Sequence, residues 1–157
     1  MVIKISQARM DMGGIPIRAG STFLFNTPGA GAVSGLTFTV TSNETQAIGD
    51  AVQINATGKA MLGKADAIAN AGGVFLAATA VTGSASNTYL AHGVVKFSSS
   101  QGWTVGGFVY LSTTGTTTNT LTQTQPSGTD NVIQVLGVAL ANDTLYFNPS
   151  LVQIEHS

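Results

Sequence analysis

The stretch "GKAMLGKA" (Gly58–Ala65) has the spacing of a phosphate-binding loop, with Gly58, Gly63 and Lys64 in the places of G-x-x-x-x-G-K. Such a loop needs a Ser or Thr after the lysine, because its hydroxyl meets the magnesium ion. Ala65 stands there instead. The chain beyond it also lacks the alternating helices and strands that build a parallel sheet around a nucleotide. The segment reads as a loop before a short helix. "GAGAVSG" (Gly29–Gly35) follows Pro28, has the spacing G-x-G-x-x-x-G and leads into no helical pattern, so it reads as a flexible turn.

The remaining reactive side chains are few and far apart. His92 lies in an apolar strand pattern and His156 is next to last, and neither has a neighbour at metal-ligand spacing. With no cysteine there is no disulfide, thiolate site or cysteine nucleophile. No G-x-S-x-G elbow exposes a serine. Asp11, Glu44, Asp50, Asp66, Asp130, Asp143 and Glu155 occur singly, mostly where a turn is expected. Their spacing gives no support to a paired-carboxylate site. Trp103, in "QGWTVGG", reads as a side chain closing the end of a barrel; the competing reading is a platform on which a sugar stacks. Asn43, Asn55 and Asn142 each open an Asn-x-Thr triplet and read as turn residues. The residues therefore offer no catalytic group, no cofactor site and no metal site, and the chain is not read as an enzyme.

Composition narrows the partners. The six Lys and Arg do not alternate with aromatics, and none follows Lys96. A nucleic-acid groove needs several cations on one face, and a net charge of −1 gives no pull towards nucleic acid or an anionic membrane. No apolar run approaches the roughly 18 residues of a membrane helix. The start, "MVIKISQARMDMGG", shows no apolar core or cleavage region of a secretion signal. The charged fraction is 8%, against about 25% in ordinary soluble domains. A mean hydropathy of +0.28 agrees. Such a surface is solvated by Ser, Thr, Asn and Gln, or is covered by neighbouring chains.

The elements are mostly short strands between turn residues, which indicates an all-β fold, a small barrel or sandwich. Residues 1–45 read as an N-terminal arm or edge hairpin, with short strands at "VIKIS" (Val2–Ser6) and "LTFTVTS" (Leu36–Ser42), and 46–157 as the β-rich core domain. Strands are expected in "DAVQI", "VFLAATAV", "TYLAHGVVKF" with a bulge at Gly93, "GGFVYLSTTG", "NTLTQTQPSG", "NVIQVLGVAL" and "DTLYFNPSLVQIE". One short helix is expected over Lys64–Ala71, Ala-rich and stopped by Gly72–Gly73. In "GGFVYLSTTG" (Gly106–Gly115), alternation sets Val109 and Leu111 on one side of the sheet and Phe108 and Tyr110 on the other. "GDAVQINATG" from Gly49 resembles it, through duplication or, more simply, through hairpin grammar used twice.

The order of "GDAVQI", "GGFVYLSTTG", "LTQTQPSG" (Leu121–Gly128), "VIQVLGVAL" (Val132–Leu140) and "LYFNPSLVQIE" (Leu145–Glu155) resembles a domain of tailed-bacteriophage virion proteins of the head decoration or head fibre type. The resemblance covers residues 46–157. It implies a protein on the capsid surface, made in the host cytoplasm. Such a protein binds across major capsid protein subunits and stabilises the shell as a homo-oligomer, with a trimer favoured. The arm, Met1–Ser21, would make a cross-subunit contact by strand addition or wrapping. The alternative is a fibre or tail-associated module that contacts the host surface or its glycans, with Trp103, Tyr110 and Tyr146 as stacking side chains.

Overall fold

The computed structural model describes residues 26–156, together with the backbone of two short strands before them. Those two are β1 (Met10–Met12) and β2 (Ile15–Ile17), which pair antiparallel as a sheet of their own. The strand expected at Val2–Ser6 lies outside the described residues. The others are β3 (Ala32–Thr41), β4 (Ala51–Ile54), β5 (Ala60–Leu62), β6 (Phe75–Ala77), β7 (Ser86–Lys96), β8 (Phe108–Leu111), β9 (Leu121–Thr122), β10 (Val132–Ile133), β11 (Val135–Ala141), β12 (Thr144–Phe147) and β13 (Ile154–Glu155). Nine of them form one sheet in the order β5-β4-β6-β7-β12-β11-β8-β9, with β3 also on β7. The sheet curls into a half-barrel, and β10 and β13 pair beside it.

The expected all-β class holds among the described residues, but the expected helix over Lys64–Ala71 does not form. Eight residues make a weak nucleus for a helix, and segments distant in sequence offer their backbone better partners. Ala65 donates to the carbonyl of Ser112, and its own carbonyl accepts from Val132, both at 2.9 Å. Asn70 closes what remains as a turn, its amide donating to Asp66 Oδ1 at 2.9 Å. Ala65 is fully buried as a result.

β7 organises the sheet. One edge carries β3 along its whole length, from Ser86 opposite Thr41 to Lys96 opposite Ala32. The other edge is shared in sequence: Tyr89 and Leu90 pair with β6, then Gly93 to Lys96 pair with β12. The sheet thus leaves β7 as two wings, β6-β4-β5 and β12-β11-β8-β9. The handover coincides with a register shift at Leu36/Thr37, where Ala91 is the extra residue, and with Gly35 directly opposite Gly93. The bulge expected at Gly93 therefore sits just before it. A Cβ on Gly93 would lie 2.7 Å from the Gly35 Cα, and one on Gly35 would lie 2.8 Å from the Gly93 Cα. Both glycines have positive φ, 147° and 156°, a region that side chains avoid. The close crossing is open only to a glycine pair.

The concave side holds the main core, with Leu76, Leu90, Val95, Val109, Leu111, Leu136, Leu145 and Phe147 drawn from both wings. Each is completely buried. Val109 and Leu111 face this core while Phe108 is 57% exposed, as alternation along the strand requires. A second cluster of Val52, Ala60, Ala77 and Tyr89 lies on the opposite face of the β4 wing, with Phe38, Val40, Leu62 and Phe75 packed on it. Val52 and Val109 occupy matching places in the two similar ten-residue stretches, yet one belongs to the second cluster and the other to the main core. That mismatch favours hairpin grammar over duplication.

Glycine replacements measure the crossing. Gly83→Ala, at φ 66° with open space around it, should cost about 1–2 kcal/mol from backbone conformation alone. Gly93→Ala adds a backbone clash and should cost about 3 kcal/mol or more, read from urea midpoints at unchanged slope. Equal losses at the two positions would contradict the pinch.

Candidate interaction surface

The phosphate-loop spacing falls on a hairpin. Gly58 lies in the turn between β4 and β5, where Asn55 Oδ1 accepts the amides of Thr57 and Lys59 at 2.9 and 3.1 Å. Gly63 and Lys64 follow β5 and lead into the turn described above, so no helix N-terminus faces a phosphate. Lys64 Nζ instead meets Asp66 at 2.7 Å on an open surface, where such a pair contributes little. His92 Nε2 is 3.1 Å from the Tyr146 hydroxyl, and the two rings meet edge to face. His156 is tied through its backbone to Asp130 and Asn131. Among the described residues, no three His, Asp or Glu side chains are grouped to hold a metal ion.

Trp103 is 8% exposed and packs edge to face on Phe97, with ring centroids 5.3 Å apart. Its ring belongs to the main core, so it offers no open face on which a sugar could stack. Tyr110 and Tyr146 remain half-buried on the outer side of the sheet.

Two buried polar side chains, Gln46 and Gln134, escaped notice in the sequence, and a third, Asp50, read only as a turn residue. Gln46 receives the Tyr89 hydroxyl at 2.7 Å and donates to the Ala60 carbonyl at 3.1 Å, which fastens the 42–46 segment over the second cluster. Gln134 receives the amide of Gly73 at 3.0 Å and donates to the carbonyl of Ser150 at 2.8 Å. Asp50 accepts the amides of Ala47 at 2.8 Å and Thr118 at 2.7 Å, with the Thr120 hydroxyl at 3.4 Å. Thr120 Oγ1 in turn receives the Ala51 amide at 2.8 Å. Asp50 therefore clips the β4 wing to the loop before β9, and it holds Thr118 in a left-handed conformation at φ 68°. The one signal in the sequence was an acid wedged between a glycine and an apolar strand.

Asp50 also lines a cavity of about 260 Å³, with Gly49, Phe97, Ser98, Thr118 and Thr120. Burial pushes its carboxyl above the ordinary carboxylate range, and the amide hydrogen bonds from Ala47 and Thr118 pull partly back. Both oxygens are already engaged with the protein, so the group works as a clip between loops.

The outer face of the β12 wing is different. Ser34, Val94, Tyr146, Val138 and Phe108 stand directly opposite one another across five strands. At the usual strand spacing the row is about 19 Å wide. It holds no charged residue; Lys96 and Asp143 meet at one rim, 3.8 Å apart. Leu36 and Leu140 flank the row, each 48% exposed. Near the C-terminus, Leu151, Val152 and Ile154 add further apolar surface, at 83%, 69% and 59%. Within the row Val94 is buried and Phe108 is exposed; exposed apolar side chains gathered on one face mark a place where another surface is met.

No protein-family model matches the chain, and neither a curated protein nor a solved structure matches it.

Asp50 gives the structure a pH signature. Its folded pKa lies above the ordinary 3.8, so the native state holds a proton that the unfolded chain has lost. The stabilising contribution is complete below 3.8 and is lost as pH rises through the raised value. The stability difference between wild type and Asp50→Asn, followed by urea unfolding at a series of pH values, should therefore shrink as pH rises above 3.8. A difference that grows with pH would show that the carboxylate is stabilised in place.

Proposed function

We propose that the protein is a virion component of a tailed bacteriophage, a decoration protein that binds across neighbouring major capsid protein subunits and stabilises the head shell. The observation that carries this reading is the outward-facing, charge-free row centred on Tyr146, Val138 and Phe108, flanked by Leu36 and Leu140. In a chain with 8% charged residues, exposed apolar side chains grouped on one face favour a partner, and a shell subunit is one that covers them permanently. The order of strands and turns from residue 46 onward, similar to that of virion structural proteins, supports the same partner. The mechanism is area: surface buried across a joint raises the free energy needed to part the two subunits under the pressure of packaged DNA. No cofactor enters, and no group is turned over. The arm reaches a second capsid subunit, so that one copy spans the joint.

Binding to empty expanded capsids, compared with binding to host-surface polysaccharide, tests the reading. Saturable, stoichiometric capsid binding is expected. Phe108→Ser with Leu140→Ser should weaken it about tenfold or more, while the unfolding midpoint barely moves because both side chains are already exposed. Retention on polysaccharide alone would contradict the proposal and favour a glycan-binding module. Deleting residues 1–21 should also weaken capsid binding; unchanged binding would remove the arm from the interface.

A further inference from the structure

We propose that β3 is a self-association edge, and that the β3 strands of two copies pair antiparallel across a two-fold axis to join two half-barrels into one continuous sheet. This deepens the capsid reading, on which only the placement of the pair at the shell rests.

β3 is ten residues long, about 34 Å of strand. One edge is bonded to β7 throughout, and among the described residues no strand pairs with the other edge. Proteins protect such edges with lysines, prolines, inward charges or bulges that twist the strand away. "AVSGLTFTVT" contains none of the charged residues and no proline. The extra residue of the local bulge, Ala91, is in β7 and leaves the free edge of β3 continuous. The edge is therefore a row of backbone donors and acceptors that attracts another strand.

Length selects the occupant. β5 and β9, the ends of the main sheet, have three and two residues, and β5 is bridged at Ala60 by Ser42. β1 and β2 have three each and already pair with one another. Any of these would leave most of the β3 edge bare. Another β3 matches it along its whole length. Each chain presents one such long edge among its described residues, so pairing closes at two copies and does not propagate.

The side chains suit this arrangement. Thr37, Thr39 and Thr41 are exposed on one face, while Leu36, Phe38 and Val40 alternate with them on the other. A two-fold axis normal to the sheet keeps like faces together. The apolar outer row of one copy, which ends at β3, then continues through Leu36 into that of its partner. Two modest patches become a single broad face, the form in which a shell surface would meet it.

The full chain in solution, without capsid, should show a native mass of twice 16.0 kDa. The resemblance to decoration proteins implies a trimer, and a mass of three times that value would overturn two-fold β3 pairing, as would a monomer. The chain has no cysteine, so single cysteines placed in turn at the non-glycine positions from Ala32 to Thr41 report contacts between copies without background. Opposed strands bring Cα atoms within disulfide range only near the axis. Cross-linking should therefore peak at the one position next to the axis and fall away on both sides. A flat profile, or none, overturns the proposal. Thr37→Lys combined with Thr39→Lys brings like charges together across the junction; the native mass should halve at low salt and recover as salt is raised. A mass that ignores these charges counts against β3. Capsid binding by a monomeric chain would sink this proposal alone, and a β3-linked dimer that ignores capsids would sink only the capsid reading.

Discussion

The structure depends on one crossing of backbones. Where Gly35 faces Gly93, β7 passes its inner edge from β6 to β12 while keeping β3 on the other. Two wings grow from one strand as a result, and the sheet must curl. The curl makes the concave core, in which side chains from both wings meet. It also leaves β3 at an outer margin with one edge satisfied and one bare. A side chain at either glycine would separate β3 from β7 where the register shifts, and both wings would lose their common support.

Because the sheet closes only half of a barrel, something else must hold the wings together. That work falls to buried polar side chains. Asp50 with Thr120 ties β4 to the far wing, Gln134 ties the 72–74 loop to the C-terminal segment, and Gln46 fastens the segment that covers Tyr89. Each is nearly or completely buried with its polar atoms satisfied, so none is available to a substrate. The same economy marks the outside. Charge is scarce, and the row across five strands on the face opposite the core holds no charged residue. Buried polar contacts and exposed apolar side chains suit the proposed part that works by being covered.

Much of this was legible in the sequence, for a reason seen in "GGFVYLSTTG". A half-buried strand writes its two faces in alternate letters, and Val109 and Leu111 went to the core while Phe108 stayed out. Short strands between turn residues likewise gave the class. The segment 64–71 was illegible because its alanines favour a helix locally, while Ser112 and Val132, distant in sequence, supplied backbone partners that won. The branching of the sheet at β7 was hidden too: "TYLAHGVVKF" reads as one strand, and nothing in it reveals two successive neighbours on one edge. "LTFTVTS" read as a strand of an N-terminal arm or edge hairpin, and six of its residues form part of β3, which runs the length of β7. Asp50, Gln46 and Gln134 look like surface residues because burial of a polar side chain depends on partners as far as 70 residues away.

The central claim is that this chain acts by covering repeated surface on a shell, and the copy number per virion tests it most directly. Its mass ratio to the major capsid protein in purified particles gives that number. The account predicts a count in the order of hundreds, in fixed proportion to the capsid subunits. A handful of copies per particle would place the protein at a vertex or in the tail and contradict the account.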